Sequence, residues 1–317
     1  MIQRLADDRP HVGVPRVDER TLWLAYNASD VTFRVLRAFG WGPMLNLGYY
    51  PFGQPFTLLN FLISTHWFPP FFRLPAAQLS LIKRAIALLP LHDGRRVLDV
   101  GCGRGMSSYL MANTFPHLDV SGVDLLADHV AIAQTLFSNT PNLQFIRGDA
   151  MNLDFPDRSF DRALCVEAAF QFPDRGRFLS ELGRVVAPGG RAVIVDFMWE
   201  NDDARVRCDA DALQVVRATW QLRDFDSVGQ YRRNAETNGF TIDACLDWSS
   251  HVTAPIITIF GIVGGLARRS WGRAFLRRFN PLLRPISDLD WAKFVQSARA
   301  HQRVHGCAKY MVLVLTR

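Results

Sequence analysis

Residues 97–105 read VLDVGCGRG, and MSSYLMAN follows at 106–113. An apolar run carrying an acid, Asp99, passes into a turn that holds Gly101, Gly103 and Gly105, and the turn opens into a helical pattern. Glycines there can take backbone angles that other residues resist, and they let a ligand approach the main chain closely. A helix starting near Gly105 turns unpaired N–H groups and a positive dipole end toward the same loop, a good seat for a carboxylate-bearing ligand tail. An ordinary glycine turn would look the same over this short stretch, so the flanking sequence has to decide.

Downstream, DVSGVDLLADHVAIAQ (119–134) predicts a strand ending at Asp124, 19 residues beyond Gly105. An acid at the tip of a second strand can accept both hydroxyls of a ribose, through charge-assisted bonds of about 1.5–3 kcal/mol each. A third strand runs into RGDAMNLDF (147–155), which sets Asp149 beside the same cleft, placed to accept an adenine amino proton. One acid at a strand tip is often a helix cap, whereas two at successive tips beside a glycine loop point to a nucleoside. The spacing departs from the dinucleotide fingerprint GxGxxG, since Met106, Ser107 and Ser108 follow Gly105. No second phosphate-cradling element is evident, which argues against a nicotinamide cofactor.

The surrounding pattern alternates strands and helices. Strands are expected at Arg96–Val100, Asp119–Val123, Leu143–Arg147, Arg162–Val166, Arg191–Val195 and Thr241–Leu246, and the last at Lys309–Leu315 (KYMVLVL). Helices are expected at Ala76–Leu89, Met106–Asn113, Ala127–Ser138, Arg177–Val186 and Gln230–Asn238, the last of these stopped by Asn238-Gly239. Such alternation argues for a largely parallel sheet covered on both faces.

LDVGCGRG, Asp124, GDAMNLDFPDRSFD (148–161) and RVVAPGGRAVIVDF (184–197) together resemble the class I S-adenosylmethionine-dependent methyltransferases over about residues 95–200. The resemblance implies an α/β, Rossmann-like seven-stranded sheet in the order 3-2-1-4-5-7-6, with its last strand antiparallel. It implies S-adenosyl-L-methionine as cofactor and S-adenosyl-L-homocysteine as product. Asp99 and the loop of Gly101, Cys102, Gly103 and Gly105 would hold the methionine part. Asp124 with Leu125 would hold the ribose, Asp149, Ala150 and Met151 the adenine, and Glu167 would support the cofactor loop. The run CVEAAFQFPDRGRFLSELGRVVAPGG (165–190) and the segment NLGYY (46–50) are similar to small-molecule methyltransferases of natural-product and quinone pathways. On this reading residues 1–90 form a helical lid. Residues 91–317 form the cofactor domain, with substrate-binding insertions at about 197–229 and 250–305.

One departure matters. Many O-methyltransferases of this group carry one or two histidines in a segment like E-x-x-H-H-x-P-D, where this chain has Phe170 and Gln171. Neither can take a proton as imidazole does. Methyl transfer from a sulfonium is an in-line displacement in which alignment alone is worth up to about 7–11 kcal/mol, and a base is needed only if the acceptor must lose a proton. Candidates for that base are Asp196, Glu167 and His66. Loop capping and cofactor support are the plainer readings of the first two, and a wall position that of His66. Carbon methylation is the alternative that the missing histidines favour, and a cofactor-retaining cyclase or decarboxylase is the other. Tyr49, Tyr50, Phe170, Gln171 and Trp199 are candidate substrate contacts, and His251 another residue near the pocket.

Between Trp23 and Phe72 lie 14 of the chain's 37 aromatic residues, broken by prolines at 43, 51, 55, 69 and 70. That is more than one covering layer needs, and it points to a hydrophobic acceptor. The 317 residues, 49% hydrophobic and 21% charged, suit a globular chain. Five scattered cysteines without a CxxC fit a reducing compartment. MIQRLADDRP shows no apolar signal region, so a cytoplasmic location is expected. Much of the net charge of +6 sits late, in Arg268, Arg269, Arg273, Arg277, Arg278 and Arg284, without the aromatic-interleaved pattern of a nucleic-acid module, and it reads first as a solvated helix face. The apolar run Ile256–Ala267 ahead of those arginines could instead lie on an anionic membrane surface. His301, His305 and Cys307 have metal-compatible spacing but no evident fourth ligand, so no metal is expected.

Overall fold

The computed structural model describes residues 30–38, 41, 44–50 and 74–317, so His66 and most of the aromatic leader lie outside the described residues. Each apolar run forms its strand: β1 (Arg96–Val100), β2 (Asp119–Asp124), β3 (Leu143–Arg147), β4 (Phe160–Val166), β5 (Val186–Trp199), β6 (Thr241–Asp247) and β7 (Ala308–Thr316). They make one seven-stranded sheet in the order β3-β2-β1-β4-β5-β7-β6. The first five run parallel, and β7 lies antiparallel between β5 and β6. β5 is longer than the expected Arg191–Val195, because β7 matches it residue for residue from Arg191 to Trp199.

The helices around this sheet are α1 (Val31–Ala38), α2 (Leu74–Ile86), α3 (Met106–Thr114), α4 (Ala127–Leu136), α5 (Arg175–Val185), α6 (Asp202–Arg207), α7 (Ala210–Trp220), α8 (Val228–Thr237), α9 (Thr253–Ala267), α10 (Ser270–Phe279) and α11 (Asp288–Cys307). Alternation along β5 divides the core. Ala192, Ile194 and Met198 pack with Phe178, Leu179 and Leu182 of α5 and Tyr231 and Ala235 of α8. Val193, Val195, Phe197 and Trp199 face the opposite layer, which contains α1, α2, α7, α9 and α11.

That second layer contains the main departures from expectation. α6 and α7 were not anticipated as elements, although each starts on a side-chain cap, Asn201 accepting the Ala204 N–H and Asp209 the Ala212 N–H. The 20-residue α11 was also unforeseen. Ser287 caps it, Asp288 and Asp290 sit favourably in its first turn, and its buried face reads Trp291, Phe294, Ala298, His301, His305. The run Ile256–Ala267 is buried along one side only, with Ile257, Ile259, Ile262 and Leu266 partly exposed. It forms most of α9, whose Ile256, Phe260, Val263 and Ala267 are buried and whose Phe260 ring meets Phe294 of α11 at 6.2 Å. No helix among the described residues is long and apolar enough to cross a membrane.

Candidate active site

The loops that follow β1, β2 and β4 bound a cleft that is open to solvent. Of the residues expected at the cofactor, Asp99, Gly101, Cys102, Gly103, Asp124 and Glu167 line it. Arg104, Met106, Ser107, Leu126, His129, Val166 and Gln171 join them, with Met44, Leu45, Asn46 and Ile82 on the opposite wall.

The glycine turn is built tightly. Gly101 adopts φ 68°, and its N–H and that of Cys102 both donate to the Val123 carbonyl, at 2.8 and 3.0 Å. A Cβ at this position would overlap the methyl of Ala168. Two serines explain how Asp99 survives burial: the Ser107 and Ser108 hydroxyls each donate to its Oδ2 at 2.6 Å. Burial still raises its carboxyl to about 6, against those two bonds. Asp124 accepts from the Gly103 N–H at 2.9 Å, the Leu126 N–H at 3.0 Å and His129 Nδ1 at 3.3 Å. A carboxylate has roughly four acceptor positions, so capacity remains for a ligand hydroxyl.

The segment 44–50 closes the other side through its own backbone. The Leu47 N–H donates to both oxygens of Glu167, at 3.0 and 3.2 Å, and the Tyr310 hydroxyl donates to Oε1 at 2.6 Å. The Gln78 amide holds the Met44 and Asn46 carbonyls, and the Tyr49 N–H reaches the Ala77 carbonyl at 2.8 Å. Gly48, at φ 86°, passes so close to Ala77 that a Cβ would sit 2.8 Å from its methyl. Glu167 itself is held at φ 48°, a position non-glycine residues seldom adopt and which marks functional sites. Burial pushes its carboxyl up to about 8, while the bonds from Tyr310 and Leu47 pull the other way.

Residues 97–190 match the profile of a methyltransferase domain. The chain resembles the class I S-adenosylmethionine-dependent methyltransferases in this stretch and in its sheet order. It is 33% identical over 151 residues to the phthiotriol/phenolphthiotriol dimycocerosates methyltransferase 1 of Mycobacterium ulcerans, covering 48% of this chain and 55% of that one. It is 33% identical over 202 residues to the 2-methyl-6-phytyl-1,4-hydroquinone methyltransferase of Synechocystis, covering 63% and 59%. The chain thus spans a little over half the length of these relatives. A cyclopropane synthase from Mycobacterium tuberculosis shares the fold across 98% of this chain and all of its own, with TM-score 0.69 at 16% identity.

S-adenosylmethionine is the cofactor of the class I methyltransferases that the chain resembles, and the cleft suits it. The ligand is a cation rich in donors, and Asp99 and Asp124 offer acceptors to it. A Cβ added at Gly103 would meet nothing nearer than the Leu45 methyl at 3.4 Å, which leaves room beside the main chain. The adenine-side candidates lie at the tip of β3. Gly148 N–H bonds the Asp124 carbonyl at 3.0 Å, and the Asp149 carboxylate accepts the Met151 N–H at 2.9 Å. Asp149, Ala150, Met151, Leu125 and Gly105 do not themselves line the cleft.

Several other candidates stand elsewhere than expected. Asp196 is fully buried on the α5–α8 side of the sheet, where the Tyr231 hydroxyl and the Phe197 N–H donate to it. Burial lifts its carboxyl to about 7, opposed by Tyr231 and by the Arg175 charge, and it does not line the cleft. Trp199 is also buried, its indole N–H donating to Asp224 at 3.0 Å. Phe170 packs in an aromatic cluster with Phe197, Trp220 and Phe225. Of the pair that replaces the family's histidines, only Gln171 reaches the cleft. Tyr49 and Tyr50 are buried, with Tyr49 stacked on His251 at 4.6 Å and the Tyr50 carbonyl held by His251 Nδ1 at 3.0 Å. His301 is neutral and occupied, accepting the Trp220 N–H at 2.7 Å and contacting the Ser297 carbonyl at 2.8 Å. Among the described residues no group of acids, histidines and cysteines could hold a metal.

Tyr310, Gln78, Arg104, Ser107 and Ser108 were missed as site residues. The serines stood in plain view after the glycine loop. Tyr310 gave one cue, a polar-tipped ring inside an apolar strand.

Proposed function

We propose that this chain transfers a methyl group from S-adenosylmethionine to an oxygen or carbon atom of a small hydrophobic acceptor of prenylated, natural-product or lipid-like type. The observation that carries the reading is the cleft itself, lined by Asp99, Asp124, Glu167 and a glycine loop together with the apolar residues Met44, Leu45, Ile82 and Val166. The acceptor class is supported by the relatives, whose names specify phthiotriol dimycocerosates and a phytyl hydroquinone.

When bound, S-adenosylmethionine supplies an electrophilic methyl on a sulfonium. On this reading Asp99 and the 101–105 loop orient the methionine end, Asp124 with Leu125 the ribose, and Asp149, Ala150 and Met151 the adenine. The segment 44–50, fastened through Glu167 and Gln78, excludes water from the methyl. Residues up to about 90 and the insertions at about 197–229 and 250–305 supply the acceptor's side. Cys102 and Gln171 complete the wall, and the buried Phe170, Trp199, Tyr49 and Tyr50 support it from behind.

Carbon methylation is the second reading, favoured by one observation. The only imidazole among the described cleft residues is His129, and its Nδ1 is engaged with Asp124. Incubation with methyl-labelled cofactor and a panel of phenols, fatty acids and alkenes tests both. Label in an ether or ester supports oxygen transfer and label on carbon the second reading. Label found only in small polar acceptors, or in none, overturns the proposal.

A further inference from the structure

α10 and the turn after it present an apolar face that no described part of the chain covers. Trp271, Phe275, Phe279 and Leu282 are 57, 42, 54 and 64% exposed. The three aromatics are spaced by four, which places them along one side of the helix, and the Phe275 and Phe279 rings lie 4.4 Å apart. The opposite side holds Gly272 and Leu276 against the protein, while Arg273 and Arg277 turn back to Asp288 at 3.1 and 3.0 Å. The patch is therefore the outer face of a folded, anchored helix.

Its rim is cationic. Arg268, Arg269, Arg278 and Arg284 are exposed, residues 251–287 contain no acid, and none of the four has an ion-pair partner among the described residues. Soluble chains seldom expose several large aromatics side by side without a use for them. A second copy of this chain is a poor occupant, because a two-fold contact would bring each arginine rim against its own image. An anionic surface with an apolar layer beneath it satisfies both halves. Aromatic rings settle at the headgroup boundary and arginines reach the lipid phosphates.

We propose that α10 with the Pro281–Leu283 turn is a docking surface for anionic lipid membranes. The feature is distinct from α9, and it does not depend on the acceptor assigned above.

Flotation of the full chain with vesicles tests this. It should rise with phosphatidylcholine vesicles containing about a third phosphatidylglycerol and stay behind with pure phosphatidylcholine. Replacing Arg278 and Arg284 by glutamine should weaken partitioning about 25-fold, about fivefold for each arginine near the surface. The combined Trp271→Ser, Phe275→Ser and Phe279→Ser variant should lose it, while both variants keep calorimetric uptake of S-adenosylhomocysteine. If the triple variant fails to fold, the arginine pair decides alone. Flotation independent of anionic lipid, variants that float like the parent, or a stable dimer broken by the triple substitution would each overturn the proposal.

Discussion

Replacing Glu167 by glutamine should flatten the dependence of folding stability on pH. In the folded protein burial raises this carboxyl from 4.5 to about 8. The folded state therefore keeps a proton that the unfolded chain sheds above pH 4.5. Unfolding then becomes easier as pH rises, by about 1.36 kcal/mol per pH unit from this group alone, until the folded carboxyl ionises and the slope ends. Between about pH 5.5 and 7.5 the parent should lose about 2.7 kcal/mol that the Glu167→Gln variant retains. Glutamine has no proton to release, and its carbonyl can still accept from Tyr310, which donates at 2.6 Å, and from Leu47. At acid pH the variant should be the weaker protein, because its amide would face the Leu47 N–H, 3.2 Å from Oε2, as a second donor. Asp99 and Asp196, raised to about 6 and about 7, slope in the same direction in both proteins and cancel in the difference. Urea unfolding followed by tryptophan fluorescence at several pH values gives that difference directly. Parallel parent and variant curves would refute the argument, since Glu167 would then titrate as it does in water. Tyr310→Phe supplies a sign check. It removes a bond that lowers the Glu167 pKa, so the sloping region should extend further upward.

Asp124→Asn should lower the affinity for S-adenosylhomocysteine at least tenfold, since charge-assisted bonds are worth about 1.5–3 kcal/mol each, and calorimetry at neutral pH reads it. The same titration in the parent should weaken as pH falls through about 6, where Asp99 takes up its proton and loses its attraction for the ligand's ammonium group. Asp196→Asn should leave that affinity nearly unchanged while lowering stability, because the carboxylate touches Tyr231 and not the cleft; a selective loss of turnover without loss of stability would return Asp196 to the candidate bases. Ser287→Ala removes the cap of α11, which accepts the Asp290 N–H at 3.1 Å, and should cost about 1 kcal/mol in thermal or chemical melts.

The parallel sheet was legible because its signals are local. VLDV, VSGVD and AVIVDF are short apolar runs, and each is followed closely by its turn residues. The glycine loop and Asp124 were readable for the same reason, since both sit where a strand must stop. The helical layer on the Val193, Val195 and Phe197 face of β5 was not. α11 buries Ser297, His301 and His305 along with Trp291 and Phe294, and those polar residues interrupt the periodicity by which a buried helix face is recognised. Their hydrogen bonds come from far along the chain: Trp220 to His301, Thr32 to Ser297 at 2.8 Å. The face on which Asp196 lies was hidden for a related reason. Position at the tip of a strand says that a side chain is near the ligand edge, but alternation in β5 decides the face, and it puts Asp196 with Ala192 and Ile194. The role of Glu167 as a fastener for Leu47, 120 residues away, had no local signature at all.

That fastener also separates the two chemical readings. Glu167 is the acid that lines the cleft with a carboxyl near 8, so at neutral pH it is mostly protonated and holds no vacancy for an acceptor's proton. If it serves as the base for oxygen methylation, only its ionised fraction works, and turnover at saturating cofactor should climb about tenfold per pH unit up to about pH 8. An alkene or electron-rich carbon attacks the methyl before losing any proton, so its methylation should be flat over the same range. The buried histidines of α11 do not blur the contrast. Burial lowers His301 to about 4 and His305 to about 3, and neither lines the cleft. A steep rise that disappears in Glu167→Gln identifies the carboxylate as base, and a steep rise that persists in that variant excludes it. A flat profile in both proteins, with label on carbon, leaves Glu167 the single task of holding segment 44–50 in place.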